Sequence, residues 1–534
     1  MKSSPVLSAS AAFVLLVVAI GGGCSFGESG IAPPANRIFL PAGIAADPDD
    51  SFLYVVNSNS DLRFNAGTVV AVDLNKAAST LAQSRVTPDP SQPPPWPPMC
   101  VKTRFSRTEP VLDTYCCRDM LDSNIINCNE PQFLQSDATI QIGSFGGAIQ
   151  LQRYVRDPSN PSSEAVRRLF VAVRAEPSIT FADATIADVA NADGGAQKVV
   201  SMRCTGPKQN GSAQPINAFC DDTWKVRRPG GVTPGALVLP EEPHVLALDT
   251  MIGALYVGHL TVAANSEIQG GGVSTLDVSD PQSESSVRFA GLVRNTFLPI
   301  SLPQAVAALS LAPAASPQAP VDCTDPLNPQ PGIRVYATAR YSTAIGGMVL
   351  STPSAACDSL LPTSQERDLT LVPSESFYSS VFLPHGADIR GILFSDDGTR
   401  AFVLHRNDAE STANPAALVV LDRHGSPANT PIDVLQVCSG PTAMQMHPAV
   451  RGRIYITCYD DGQIYVVDPD ALVVTSIIEV GAGPTSLVFS QVDAGVAYVA
   501  SFANSHLSVI DLAPGSPTEN HVVMRIGLPH GYGE

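Results

Sequence analysis

One short unit recurs seven times along this chain, and it limits the possible folds more than any other feature. Its centre is an aromatic residue followed by small or β-branched apolar residues: LYVVN at Tyr54, LFVAV at Phe170, LYVGH at Tyr256, VYATA at Tyr336, AFVLH at Phe402, IYITC at Tyr455 and AYVAS at Tyr498. Each reads as a short buried strand. A second apolar run follows and ends in an acid in six units, at Asp73, Asp183, Asp277, Asp422, Asp468 and Asp511; the Tyr336 unit carries GGMVLST instead. The aromatic-to-Asp interval is 13 residues in the units of Phe170, Tyr455 and Tyr498 and longer in the other three. A third run opens on Gly or Pro ahead of the aromatic, as in PAGIAAD, PHVLALD, PTAMQMH and PTSLVFS. A fourth closes the unit, as in ATIQIG, GALVLP, SSVFLP, DVLQVCSG, TSIIEVG and VVMRIG.

Four short strands per 40–45 residues is the pattern of a β-propeller blade. A lone four-stranded sheet cannot bury both faces, whereas a ring of twisted sheets buries each against its neighbours. The fold class is therefore all-β, a seven-bladed propeller of four-stranded antiparallel blades. The motif at Tyr54-Val55-Val56-Asn57 resembles that of the YVTN-repeat propellers. The resemblance runs over about residues 37–534 and is closest over 439–527. It implies a fold and no single activity. Two runs are each able to complete the final blade, Arg37–Leu40 before Pro41 and Val522–Gly527 before Pro529.

Composition narrows the function classes. Hydrophobic residues make up 44% of the 534, which excludes wholesale disorder. The net charge of −18, with 32 Lys and Arg, lacks the basic footprint of a nucleic-acid binder. No GxSxG, HExxH, Walker loop or GxGxxG occurs.

The N-terminus carries an address. Lys2 precedes an apolar run, Ala11–Ile20, that is too short to span a bilayer of about 30 Å as a helix. Together with Gly21-Gly22-Gly23-Cys24 it resembles the signal peptide and lipobox of bacterial lipoproteins, with Gly21 where Leu is usual. The resemblance implies cleavage, acylation of Cys24 and anchoring in the lipid bilayer. Ser25 after the cysteine implies the outer membrane, at its periplasmic face or the cell surface. Residues 1–24 are thus the signal with its lipidated Cys24, 25–36 a flexible tether and 37–534 the propeller.

Insertions of about 75–137, 184–234, 313–332 and 353–378, with a shorter one at 152–166, all leave the ring on the face of the a-to-b and c-to-d turns. Insertions gathered on one face suggest a docking surface. The cysteines support export: beyond Cys24 there are ten, and no CxxC or Cys/His zinc spacing appears. Cys100, Cys116, Cys117 and Cys128 share the first insertion and should form two bridges, the vicinal pair bonding separately. Cys204 should pair with Cys220, Cys323 with Cys357, and Cys438 with Cys458.

Candidate chemistry is sparse. The recurring Asp reads as a turn-forming acceptor. The acidic turns at 47–50, 395–399 and 459–463 read as hairpin chemistry ahead of calcium sites. Trp96 and Trp224 read as cores of their loops. Pro-His pairs place His244, His385 and His530 where inner strands begin, converging on one end of the central channel, with Asp388 nearby. The leading expectation is a membrane-anchored binding module, not an enzyme, without a cofactor and recognising an envelope protein or glycan. The alternative is a metal-assisted, lactonase-like hydrolase using a divalent ion at those histidines.

Overall fold

The computed structural model describes residues 30–85, 97–100, 116–155, 165–190, 196–206, 217–227, 239–260, 271–280, 287–294, 305–312, 335–340, 342–351, 369–379, 388–406, 416–449 and 452–527. They form seven sheets, each with successive antiparallel strands a to d. The a strands are Pro41–Ala46, Gly146–Val155, Pro243–Asp249, Val306–Leu311, Asp388–Phe394, Pro441–Met446 and Pro484–Phe489. Each a strand packs against the next, and the seventh packs against the first. This is a β-propeller, and the a strands are its inner wall.

The aromatic motif forms strand b, and burial explains its composition. Every residue of Phe52–Asn57, Ala254–His259, Val335–Ala339 and Ile454–Cys458 is buried. With a neighbouring sheet on both faces, a strand reads as a continuous apolar run, without alternation. The outer strand Val473–Glu479 alternates instead, because one of its faces meets solvent. Between the first and seventh sheets, Leu53, Val55 and Val70 pack with Ala500, Leu507 and Met524. Each such aliphatic side chain contributes roughly 1.5–3 kcal/mol by leaving water.

Of the two ways to complete the last blade, the C-terminal one is realised. His521–Ile526 is strand d of blade 7, beside His506–Asp511. Residues 37–40 form no strand; the Phe39 and Leu40 amides donate to Asn57 Oδ1 and Ser505 Oγ. No blade is therefore shared between the chain ends, and closure needs other means. Thr485 Oγ1 donates to the Pro41 carbonyl at 3.2 Å. Asp50 accepts from the Gln491 and Val492 amides, both at 2.8 Å, and from the Ser490 hydroxyl.

The insertions supply the rest of the closure, and here the one-face expectation is corrected. Cys116–Arg118 and Ile126–Cys128, from the blade 1 insertion, climb the outer edge of blade 7, where Ile126–Cys128 pairs in parallel with 524–526. Ala218–Phe219, from the blade 2 insertion, likewise pairs in parallel with Ile140–Ile142, the outer strand of blade 1. Each described insertion thus grips the preceding blade along the rim. The physical reason is that an uncovered outer strand is an open hydrogen-bonding edge, and a long loop beside it finds partners there. The bridges Cys100–Cys117, Cys116–Cys128 and Cys204–Cys220 hold these segments. Cys323 and Cys357 lie outside the described residues. A short helix not read from the sequence, Leu74–Ser84, starts the first insertion; Asp73 caps it by accepting from the Lys76 amide at 2.9 Å.

Further corrections concern strand ends and the tether. Blade 2 does not break at Asp183: strand c runs Ser178–Ala190 and returns as Ala196–Arg203. Arg168 takes both Asp183 oxygens, at 2.7 and 2.8 Å, so that acid is not available to turn the chain. In blade 4 the outer strand is Leu371–Tyr378, ahead of the expected SSVFLP. Residues 31–35, expected within a flexible tether, are docked: the Ile31, Pro33 and Ala35 carbonyls accept from Asn65, Asn217 and Thr139.

The channel mouth as candidate functional site

Every a strand carries a β-bulge near its start. The register against strand b shifts between Pro41 and Gly43, Gly146 and Ile149, Pro243 and Val245, Val306 and Ala308, Ile389 and Gly391, Pro441 and Ala443, and Pro484 and Ser486. A bulged residue is released from the ladder and re-aims its side chain. The released residues ring one end of the channel: Ala42, Gly147 with Ala148, His244, Ala307, Arg390, Thr442 and Thr485. Five blades carry small residues there. Thr442 Oγ1 donates to the Pro484 carbonyl of the next blade at 2.9 Å, so that bulge also joins neighbours.

The mouth is charged on one side. Arginines stand one residue past the aromatic motif of strand b in blades 2, 4 and 5, and each meets an acid of the next blade. Arg174 lies 3.3 Å from Glu242, Arg340 3.9 Å from Asp388 and Arg406 3.7 Å from Asp460. Arg390, on its bulge, lies 2.5 Å from Asp388 and shares that carboxylate with Arg340. Among the described residues, four guanidinium groups thus share three carboxylates. The Arg390 side chain is 13% exposed and its Nε has no hydrogen-bond partner among the described residues; the same holds for Arg174 Nε and Asp388 Oδ1. Burial lifts the Asp388 carboxyl above its usual range, against the pull of Arg390, Arg340 and Arg406. It also lowers the Arg390 guanidinium, against the pull of Asp388. An arginine nonetheless stays charged at neutral pH.

His244 belongs to this mouth. Burial first, then repulsion from Arg174, Arg340 and Arg390, push its pKa down to about 3. The imidazole is neutral at physiological pH and far too weak a base for general-base catalysis there. Three guanidinium groups close enough to depress it would also repel a divalent cation. His385 and His530 lie outside the described residues. Among the described residues, no group of three or more His, Cys, Asp or Glu is arranged to hold a metal ion.

Other residues singled out in the sequence are structural. The Asp at the end of strand c accepts backbone amides, from Ser279 to Asp277, from His424 and Gly425 to Asp422, and from Asp470 and Ala471 to Asp468. Asp47 and Asp49 of the first acidic turn bind Arg167 of blade 2, at 2.9 and 2.7 Å. Trp224 is fully buried; its ring lies 5.4 Å from that of Phe181, and its Nε1 donates to the Gly206 carbonyl. Trp96 and Cys24 lie outside the described residues.

One position escaped the sequence reading, although its signal is the last letter of the aromatic motif. Asn57, His259, His405, Cys458 and Ser501 occupy the same register point and do one job, tying down the chain that leads into a neighbouring strand a. Asn57 bonds Phe39 N and the Arg37 carbonyl, and His259 bonds the Glu241 carbonyl at 3.0 Å and Ser274 Oγ at 2.8 Å. His405 bonds Ser379 Oγ at 2.8 Å, Ser501 donates to the Val480 carbonyl, and Cys458 is bridged to Cys438.

No known family model matches the chain, and no curated protein matches it in sequence. Among solved structures it is similar to the periplasmic gluconolactonase of Pseudomonas aeruginosa (TM-score 0.42, 13% identity, 83% of this chain and 86% of that one). It is also similar to the hydrazine synthase of Kuenenia stuttgartiensis (0.43, 11%, 92% and 99%) and to the dihydro-heme d1 dehydrogenase NirN (0.39, 12%, 98% and 76%). None of the three reaches a TM-score of 0.5, and the fold assignment rests on the sheets and their packing.

Proposed function

We propose that this chain is an exported, lipid-anchored seven-bladed propeller that acts as a binding module, not as an enzyme, and takes its ligand at the channel mouth. The observation that carries the reading is the convergence there of Arg174, Glu242, His244, Arg340, Asp388 and Arg390 from four successive blades. The described insertion segments, which first suggested a docking surface, are engaged with the rim. The hydrolase alternative is weaker because His244 is a poor base and its surroundings disfavour a metal cation. The ligand belongs to an envelope protein or glycan. Acylation of Cys24 would hold the ring close to the bilayer, since the docked chain begins seven residues later, at Ile31, a span of at most about 25 Å.

Hydrogen–deuterium exchange with and without envelope extract tests the site. Protection over 242–246 and 388–391 supports it; protection confined to 116–130 and 217–227 returns the binding role to the insertions. Incorporation of labelled palmitate, lost in Cys24→Ser, tests the anchor.

A further inference from the structure

We infer that the ring rests on the lipid bilayer by one corner of its mouth end, where Leu62 and Ile31 enter the boundary between headgroups and acyl chains. The inference rests on acylation of Cys24 and adds which end of the ring meets the lipid. Leu62 stands on the loop between strands b and c of blade 1, residues 58–66. That loop leaves the ring at the mouth end, because Asn57, just before it, pairs with Pro41 beside the bulge of Ala42. Leu62 is 59% exposed and holds φ at 54°, a left-handed backbone that leucine rarely takes. The loop is braced to keep it there. Asn59 donates to the Phe64 carbonyl at 2.8 Å and to Ser144 Oγ at 2.9 Å, and accepts from the Phe64 amide at 3.0 Å. The Phe145 amide donates to the Ser58 carbonyl at 2.7 Å. An exposed leucine on a braced turn adds little to the core, and its worth lies in what it meets outside.

The tether arrives at the same place. The Asn65 amide donates to the Ile31 carbonyl at 3.0 Å, and a Cβ on Gly30 would stand 3.0 Å from the Asn65 Cβ. Ile31 is 70% exposed. Its reach back to Cys24 is at most about 25 Å. Strands of six or seven residues make the ring about 20 Å from end to end. A tether that starts at the mouth end therefore holds the acyl chains there; carrying them to the far end would use nearly all of its length. The loop 58–66 holds one acid and one base, Asp61 and Arg63, paired at 3.3 Å, and brings no net charge to the interface. Other exposed apolar side chains lie elsewhere. Met251 is in the a-to-b turn of blade 3, at the far end, and Leu121 is in the turn ahead of Ile126, on the rim of blade 7. The Ile31, Pro33 and Ala35 carbonyls bond Asn65, Asn217 and Thr139, and neither of those turns. Apolar side chains beside an acyl anchor strengthen its hold by leaving water. The mouth then faces the bilayer, and its ligand is one presented at the membrane surface.

Fluorescence quenching from within the lipid tests the contact. The acylated protein is reconstituted into vesicles of phosphatidylethanolamine and phosphatidylglycerol, with and without brominated acyl chains. One tryptophan is added at a time, with Trp96 and Trp224 as the common background. The emission added by Ile31→Trp or Leu62→Trp should be quenched at least about threefold more than that added by Met251→Trp or Leu121→Trp. Leu62→Asn accepts the left-handed backbone and should lose most of the amide-exchange protection that vesicles confer on 59–65. Thermal melts identify any variant that fails to fold; Ile31→Trp lies outside the strained turn and then decides. Quenching strongest at Met251 or Leu121, or equal at all four positions, overturns the inference. So does protection of 59–65 by a lipid-free envelope protein fraction and not by vesicles. If Cys24 takes up palmitate while the reporters at 31 and 62 stay unquenched, the anchor stands and the contact falls. If no palmitate is taken up and vesicles do not hold the protein, both fall together.

Discussion

Ile126 lies beside Met524 in a parallel strand pair that joins the insertion of the first blade to the outer edge of the last. The chain thereby closes its ring without sharing a blade between its ends. Around this pair, Arg525 reaches Asp119 at 3.2 Å and Arg85 reaches Asp511 at 3.1 Å, so the latch is reinforced by charge on both sides.

Opening the latch should loosen one sector. In Cys116→Ala/Cys128→Ala the strand 126–128 loses its bridge, at a cost of about 2–5 kcal/mol. Urea melts should show that loss. Amide exchange should quicken in 41–46 and 521–526 and stay unchanged in 400–406; uniform quickening would contradict a local latch.

Asp50 concentrates three inter-blade contacts in one carboxylate. Asp50→Ala leaves the Gln491 and Val492 amides without their acceptor and should cost about 1–3 kcal/mol. Asp61→Ala, on an exposed loop where the carboxylate meets the Arg63 guanidinium and amide, should cost less than about 1 kcal/mol. Parallel chemical denaturation of the two variants checks the ranking.

Arg168 is 1% exposed in its side chain and grips Asp183 with two nitrogens, while Tyr154 and Phe181 flank its guanidinium. Arg168→Ala strands a carboxylate against the core and should cost about 3–5 kcal/mol. The double variant Arg168→Leu/Asp183→Leu should recover most of that loss, as a thermal melt would show.

Acid should destabilise the ring through its histidines. Burial depresses His259, His405 and His506 from 6.5 to about 4. Between those values the unfolded chain binds protons that the folded chain refuses. Stability is therefore intact above about pH 6.5 and falls as pH drops toward 4, by at most roughly 3 kcal/mol per histidine. His405→Asn, which repeats the choice of Asn57 at the equivalent point, should flatten the slope of stability against pH between 4 and 6.5; an unchanged slope would show that His405 is not part of the effect.

The blades were legible because burial on both faces forces a particular composition on strand b, and that composition repeats. Cys204 with Cys220 and Cys438 with Cys458 were legible because blade polarity places their loops together, as was the separate bonding of Cys116 and Cys117, but not the choice of Cys117 for Cys100 and Cys116 for Cys128. The path of the insertions was not: Ile126 and Ala218 carry no local mark of which edge they will meet, since that depends on packing between distant blades. The mouth was half legible. Pro243-His244 and Asp388 drew notice, but Arg174, Arg340 and Arg406 became a series only once the register showed them at one equivalent position. Arg390 stood out only when the bulge separated it from that series.

The bulges repeated around the inner wall divide labour between two sets of atoms. The ladder on either side keeps the ring standing; Thr442 and Thr485 add contacts to the next blade, while the other released residues take no part in the ladder. A substitution at position 42, 244, 307 or 390 can therefore exchange the chemistry on offer without removing a ladder hydrogen bond. Scaffolds built this way can exchange one ligand for another while their architecture stays still.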